Sequence, residues 1–274
     1  MAIFNATPDS FSDGHVTRTE TTHALHVCEN MMAQPNPPAI IDIGGMSTRP
    51  NSEPCTKEEE LERVIPLLKA ARKAGGALAK VPLSVDTYRA AVARAAVEAG
   101  ASCINDVRGG REPGMLQAMA DADVPVVLMH SRGDSISMLA AENHGYPGGV
   151  VAGVRSELAE AVAAAKAAGV KRWDIVLDPG LGFAKSQDDH LRLLRDIGQF
   201  ATDELAGYAL LVGASRKGFV GRVTGRKVAS ERGPGDAAVN TVCAMSGAVD
   251  VLRVHEPQAA AETVKMAVAI RDVK

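Results

Sequence analysis

Polar residues recur in this sequence at one kind of place, the carboxyl end of a short apolar run, and they are of types that bind or react. The successive runs carry Asn5, Asp42, Asp86, Asn105 with Asp106, Met129 with His130, Asp178, Ser215-Arg216-Lys217, and Arg253 with His255. If the runs are strands, side chains two apart share a face. Arg253 and His255 then point together, as do Ser84 and Asp86, and Val254 points the other way, as a helix-facing core residue would. An arginine beside a histidine makes an anion site: the guanidinium offers a planar fork to phosphate oxygens and the imidazole adds a donor. Asp86, Asp178 and Asn105 suit another ligand. Carboxylates accept and a carboxamide does both, so the set matches a heterocycle edge with a row of N–H donors and one acceptor, such as an aminopyrimidinone. Lys217 would donate to a ring nitrogen or carbonyl, or form a Schiff base. The blander readings are that a polar strand end caps the next helix, and that Arg253 pairs with a neighbouring carboxylate, Asp250 or Glu256. Recurrence at every strand end weighs against caps alone, because converging polar groups are costly to desolvate unless a ligand or each other satisfies them.

The elements that must position these groups alternate along the chain. Apolar runs at 1–6, 39–43, 82–86, 102–106, 124–129, 175–178, 210–213 and 249–255 are each followed by a polar loop and an Ala-rich helical stretch. The helical stretches fall at 19–33, 57–74, 88–99, 113–122, 150–168, 186–197, in segments up to 247, and at 258–273. Such alternation predicts an α/β fold with a parallel sheet covered by helices. Eight units in 274 residues predict a (β/α)8 TIM barrel, one domain over 1–274, with the site at the carboxyl ends of the strands. An open doubly wound sheet is the alternative. Against it, no GxGxxG follows the first strand, no Walker A loop is present, and Gly180-Leu-Gly182 lacks a third glycine. The first strand begins at residue 1 with nothing before it to cover the sheet's floor, the start expected of a domain taken from a longer protein.

Composition narrows the function classes. Hydrophobic residues make up 46%, enough for a sizeable core, whereas a net charge of -3 and 3% aromatics argue against nucleic acid as a partner. The apolar runs are too short to span a membrane, and the start lacks the basic and apolar regions of a signal peptide. Cys28, Cys55, Cys103 and Cys243 show no metal-ligand spacing and read as reduced thiols of a cytoplasmic compartment, a mitochondrial one being the alternative.

Two loops are the most distinctive segments. Thr7-Pro-Asp-Ser-Phe-Ser-Asp-Gly14 and Gly44-Gly-Met-Ser-Thr-Arg-Pro50 follow the first two strands, and long polar loops there usually close over a ligand. With Asn5 and Asp42 before them they resemble the two signatures of dihydropteroate synthases. Ser84-Val-Asp-Thr87, Ile104-Asn-Asp106, Asp178-Pro-Gly-Leu-Gly-Phe-Ala-Lys185, Ser215-Arg-Lys217 and Arg253-Val-His255 are similar too, in family order over essentially the whole chain. The resemblance implies condensation of a dihydropterin hydroxymethyl diphosphate with p-aminobenzoate, releasing pyrophosphate. It implies that Asp86, Asn105, Asp178 and Lys217 hold the pterin, with Met129 packed beside it. Asn5 would meet a Mg2+ bound to the diphosphate, and Thr48, Arg253 and His255 would bind its oxygens. Phe11, Asp13, Arg49 and Pro50 would sit on loops closing the second substrate's site, which Phe183 and Lys217 line and where sulfonamides compete. Asp13, Arg49, Asp178, Lys217, Arg253 and His255 are the residues expected to act in catalysis.

The sequence departs from many bacterial members at Met46, where Glu is common, at His15, where a second Gly is common, and at Gly218, where Ser is common and touches the p-aminobenzoate carboxylate. Asn51-Ser52 and Arg172-Trp-Asp174 are similar to fungal-type members, in which the synthase is the carboxyl-terminal part of a multifunctional folate-synthesis protein. The resemblance thus implies fusion to other folate-pathway domains, and a homodimer. Three rivals remain: a pterin-dependent methyltransferase domain, which generally lacks the first loop; a lysine-dependent barrel aldolase; and a pterin-binding but inactive module.

Overall fold

The computed structural model describes residues 1–6, 18–47, 52–138 and 140–273. Strands and helices alternate through them. β1 (Ala2–Asn5) precedes α1 (Arg18–Met32), β2 (Ile41–Gly44) precedes α2 (Lys57–Lys73) and the short α3 (Gly76–Lys80), and β3 (Leu83–Asp86) precedes α4 (Ala90–Glu98). β4 (Cys103–Asp106) leads to α5 (Met115–Ala122), β5 (Val126–Met129) to α6 (Val150–Ala167), and β6 (Ile175–Asp178) to α7 (Gln187–Arg195). β7 (Ala209–Val212) is followed by α8 (Gly218–Thr224) and α9 (Gly233–Ser246), and β8 (Val251–Leu252) by α10 (Pro257–Asp272). The eight strands are all parallel, in the order β1 to β8. The predicted α/β alternation is therefore present, with α3 as an unpredicted addition. The last run, expected over 249–255, contracts to two residues of ladder, and Val254 meets Ala2 of β1 only as an isolated bridge.

Alternation of side chains divides the sheet into two chemistries. Outward residues Ile41, Ile43, Leu83, Val85, Ile104, Val126, Leu128 and Leu177 are buried with Val64, Leu67 and Leu68 of α2, Met119 of α5 and Leu158 of α6. Burying a side chain of this size contributes about 1.5–3 kcal/mol, so this layer is the main source of stability. On the inner face a small apolar cluster of Cys103, Val127 and Leu211 fills the level below the polar residues. The register places Asp42 beside Ser84, Gly44 beside Asp86, Asp86 beside Asn105, and Met129 beside Asp178. Gly44 packs closely there: a Cβ on it would stand 3.4 Å from the Asp86 Cβ.

Local signals fix the helix starts. At α2, Thr56 Oγ1 accepts the Glu59 N–H at 3.2 Å, and Glu59 Oε2 accepts the Thr56 N–H at 2.7 Å. Glu58, Glu59 and Glu60 in the first turn and Arg72 and Lys73 in the last match the helix dipole. Ser186 and Asp189 repeat the reciprocal cap at α7, beneath the loop after β6. Thr56→Ala is expected to lower unfolding free energy by about 1 kcal/mol, read from urea denaturation.

Candidate active site

Arg253 is the hub of the inner polar face. Its Nε donates to Asp42 Oδ2 and its Nη2 to Asp86 Oδ2, each at 2.6 Å. Asn105 Nδ2 donates to the same Asp42 oxygen at 2.9 Å. Asp42, Asp86 and Asn105 are all buried. The expected alternative, a pairing of Arg253 with Asp250 or Glu256, does not occur: Asp250 accepts the Leu210 N–H at 2.8 Å, and Glu256 pairs with Arg216. Both lie off the inner face, while the i, i+2 relation brings Arg253 over the carboxylates of β2 and β3. The two carboxylates raise the Arg253 pKa in spite of its burial. Burial pushes the Asp86 carboxyl up, against the opposing pull of Arg253. Asp42 Oδ1, Asp86 Oδ1 and Ser84 Oγ are buried with no hydrogen-bond partner. Three orphaned polar atoms on one face are costly unless a ligand supplies donors.

Opposite them stand Asp178 and Lys217. Asp178 is buried, and its Oδ1 accepts the Gly180 N–H at 2.7 Å. Burial raises its pKa, with Lys217 pulling the other way. Lys217 is lowered to about 8 by burial, opposed by Asp178. Its Nζ donates to Leu181 O and lies 4.7 Å from the centre of the Phe183 ring. Glycines make this close packing feasible. Gly180 has φ +69° and a Cβ on it would come within 1.8 Å of His130 O, while Gly182 has φ +88° and a Cβ would come within 2.6 Å of the Lys217 stem. Met129 is buried directly beside Asp178 in the register. Phe183 also lines a cleft whose wall includes Ser47, Tyr88, Arg108 and Arg132.

The structure thus brings together Asp86, Asn105, Met129, Asp178, Phe183, Lys217 and Arg253. His255 follows on the next inward position, with its Nδ1 3.1 Å from Ser215 Oγ. Asn5 ends β1, half-buried on the same inner face. Phe11, Asp13, Thr48, Arg49 and Pro50 lie outside the described residues, as does His15. Two strand-end residues prove to be structural. Asp106 accepts the N–H groups of Arg108 at 2.8 Å and Gly110 at 2.7 Å, capping its own loop. His130 lies buried between Glu157, 3.1 Å from Nε2, and Lys185, 2.9 Å from Nδ1.

The residues that sequence reasoning missed support the first set. Lys185 is buried, and besides His130 its Nζ donates to Gly180 O at 3.0 Å and Phe183 O at 2.9 Å. The Glu157 carboxylate can only accept, so His130 Nε2–H donates to it and Nδ1 accepts from Lys185 Nζ. Burial lowers His130 to about 3. Glu157 sits at about 2, hydrogen bonds from His130 and Arg132 outweighing its burial. Arg132 also donates to Gly145 O at 2.7 Å and lies 4.1 Å over the Tyr146 ring, whose hydroxyl donates to Ala184 O at 2.8 Å. The chain of contacts ties the loop carrying Phe183 to the loop after β5. Lys185 falls inside the run beginning at Asp178, so the run signalled it without its role; nothing in the sequence singles out Glu157.

An eight-stranded parallel α/β sheet with buried, partly unsatisfied carboxylates around an arginine at its strand ends is the architecture of an enzyme for a polar heterocycle. The chain belongs to the pterin binding enzyme family, whose model matches residues 1–255. The dihydropteroate synthase of Synechocystis sp. is 39% identical over 98% of this chain and 89% of its own length. The folic acid synthesis protein fol1 of Schizosaccharomyces pombe is 40% identical over 100% of this chain, which spans only 36% of that protein. Among solved structures, Xanthomonas albilineans dihydropteroate synthase with 4-aminobenzoic acid superposes with a TM-score of 0.88 at 39% identity, covering 100% of this chain and 93% of that one.

Proposed function

We propose that this protein is a dihydropteroate synthase, a transferase that joins 6-hydroxymethyl-7,8-dihydropterin diphosphate to p-aminobenzoate and releases pyrophosphate. The observation that carries this reading is the set of orphaned acceptors, Asp42 Oδ1 and Asp86 Oδ1, buried beside Asn105, Asp178 and Lys217. Those acceptors match the N–H row of a pterin edge, Asn105 serves either role, and Lys217 donates to the remaining acceptor. The diphosphate then extends toward Arg253 and His255. Arg253 Nε and Nη2 are held by carboxylates, which leaves Nη1 for an anion. The resemblance assigns Thr48 to the same anion site.

In the reaction the C–O bond between the exocyclic methylene and the diphosphate breaks, and its electron pair leaves with pyrophosphate. The electron-rich ring stabilises the resulting cation, aided by the anionic Asp178 and Asp13. The p-aminobenzoate nitrogen then bonds to the methylene carbon and sheds a proton. Arg253 and His255 stabilise charge on the departing oxygens. Phe183 and the Lys217 stem form one wall for the aromatic ring, and the resemblance assigns Phe11, Arg49 and Pro50 to the same subsite. Mg2+ on the diphosphate would add Lewis-acid stabilisation. Among the described residues no group of three or more acidic, histidine or cysteine side chains could hold a metal. One carboxamide oxygen, that of Asn5, fits an ion held mainly by phosphate oxygens and water.

Further parts of the reading concern assembly. We take the sheet as a closed (β/α)8 barrel forming one domain over 1–274, supported by Ile3 N–H donating to Val254 O at 2.9 Å and Val254 N–H to Met1 O at 3.0 Å. Exposed Val242 and Met245 of α9 and Met266 and Ile270 of α10 support a homodimer. Fusion to other folate-pathway domains is supported by the fission-yeast relative. No helix among the described residues is long and apolar enough to cross a membrane, and four free cysteines support a reducing, cytoplasmic or mitochondrial, compartment.

Titration calorimetry tests the ordering of the two subsites. The pterin diphosphate is expected to bind with Mg2+ in the absence of p-aminobenzoate, and a sulfonamide to compete with p-aminobenzoate alone; competition with the pterin instead would contradict the assignment. The pH dependence of binding a phosphate-free dihydropterin follows from the same residues. Affinity should rise as Asp86 and Asp178 ionise, above the usual carboxylate range because burial raises both, and fall as Lys217 loses its proton near 8. Lys217→Arg should abolish the alkaline limb, because guanidinium keeps its proton. An unchanged alkaline limb in that variant would remove Lys217 from the role.

A further inference from the structure

Behind His255 runs a hydrogen-bonded chain that the reaction above leaves unexplained. Asp236 lies in the first turn of α9 and is buried. Its Oδ2 is 3.1 Å from Ser215 Oγ and accepts the Arg216 N–H at 2.9 Å. Ser215 Oγ is in turn 3.2 Å from the His255 backbone N–H and 3.1 Å from His255 Nδ1. The direction of the chain follows from counting hydrogens. A carboxylate only accepts, and a serine hydroxyl has one hydrogen. That hydrogen goes to Asp236, so toward His255 the Ser215 oxygen can only accept, and it does so from the backbone N–H as well. His255 Nδ1 must therefore carry a hydrogen. The other charged groups packed here are Arg216, paired with Glu256, and Arg232, whose Nη1 donates to Arg216 O at 2.6 Å.

We propose that Asp236 is a positioning residue for the anion site: acting through Ser215, it fixes His255 in the Nδ1–H tautomer and orients its ring. This rests on the reading of His255 as a diphosphate ligand. An anion on the opposite ring edge, at Nε2, selects the doubly protonated ring, and the negative charge of Asp236, relayed by Ser215, stabilises that imidazolium. The order of the three groups distinguishes the device from an activated serine. Ser215 stands between acid and imidazole with its hydrogen committed to Asp236, so His255 is not placed to deprotonate it.

Nitrogen-15 NMR of the histidine rings tests this on the full chain, the His255 signal being assigned by its loss in His255→Gln. The expected result is Nδ1–H in the ligand-free wild type. In Ser215→Ala, which leaves α9 intact, and in Asp236→Ala, mixed tautomers are expected, with affinity for magnesium pyrophosphate reduced about tenfold, the size of one hydrogen bond to a charged group. Asp236→Asn keeps an acceptor oxygen for Ser215 and Arg216, and should keep the tautomer with a smaller loss of affinity. An Nε2–H ring in the wild type would overturn the proposal, and so would an unchanged tautomer and pyrophosphate affinity in Ser215→Ala. The tautomer is read without substrate, so a failure of the synthase reading would appear in turnover and leave this result interpretable.

Discussion

Arg253→Ala should lose about 3–5 kcal/mol of unfolding free energy, because it strands two buried carboxylates that the guanidinium now joins. The loss depends on pH with a definite sign. Burial already holds the Asp86 carboxyl up at about 7 against the pull of Arg253, and without the guanidinium it rises further, so above about 7 the variant's folded state binds more protons than the wild type's. Stability then falls as pH rises through that window, and the deficit against wild type should be larger at pH 8 than at pH 5.5. Urea denaturation at the two pH values measures it, and a deficit independent of pH would mean that the carboxylates are not the source. The variant should also lose affinity for the pterin diphosphate far more than for the same pterin without phosphate. Equal losses for both ligands would refute the anion role of Arg253.

The second large effect is expected at a residue that touches neither of the proposed substrates. Lys185→Met fills nearly the same volume but leaves Gly180 O, Phe183 O and His130 Nδ1 without their shared donor. Each orphaned buried acceptor costs about 1–3 kcal/mol, so a loss of about 3 kcal/mol or more is expected. The loop bearing Phe183 loses its tether, so KM for p-aminobenzoate should rise by more than KM for the pterin diphosphate. Wild-type stability together with an unchanged KM for p-aminobenzoate would show that Lys185 is not the tether.

The sequence carried the architecture because alternation of apolar runs and Ala-rich stretches is a local signal, and each of the eight runs overlaps a strand. It carried the inner-face residues because i, i+2 spacing fixes which side chains point together: Arg253 stands over the Asp42 and Asp86 carboxylates, and Val254 is buried on the other face. What it could not carry were partners distant in sequence. Arg253 and Asp42 are 211 positions apart, so near neighbours such as Asp250 were the only candidates that spacing could offer. Asp106 and His130 stand at strand ends like the others, but their side chains point to loop and helix, a distinction made by register and not by residue type. Asp236 and Glu157 sit on helices among other surface-type acids, and only the fold brings them to Ser215 and His130. The resemblance of the two loop signatures supplied the reaction, which the polar face alone did not: acceptors for a heterocycle and a site for an anion specify a ligand, and leave open what is done to it.

The most direct test of the central claim is turnover. The protein would be mixed with 6-hydroxymethyl-7,8-dihydropterin diphosphate, p-aminobenzoate and Mg2+, with pyrophosphate release and dihydropteroate formation followed together. Equal amounts of the two products, each requiring both substrates and abolished by chelation of Mg2+, are the predicted result. A folded protein that binds the pterin diphosphate yet forms no dihydropteroate would contradict the account.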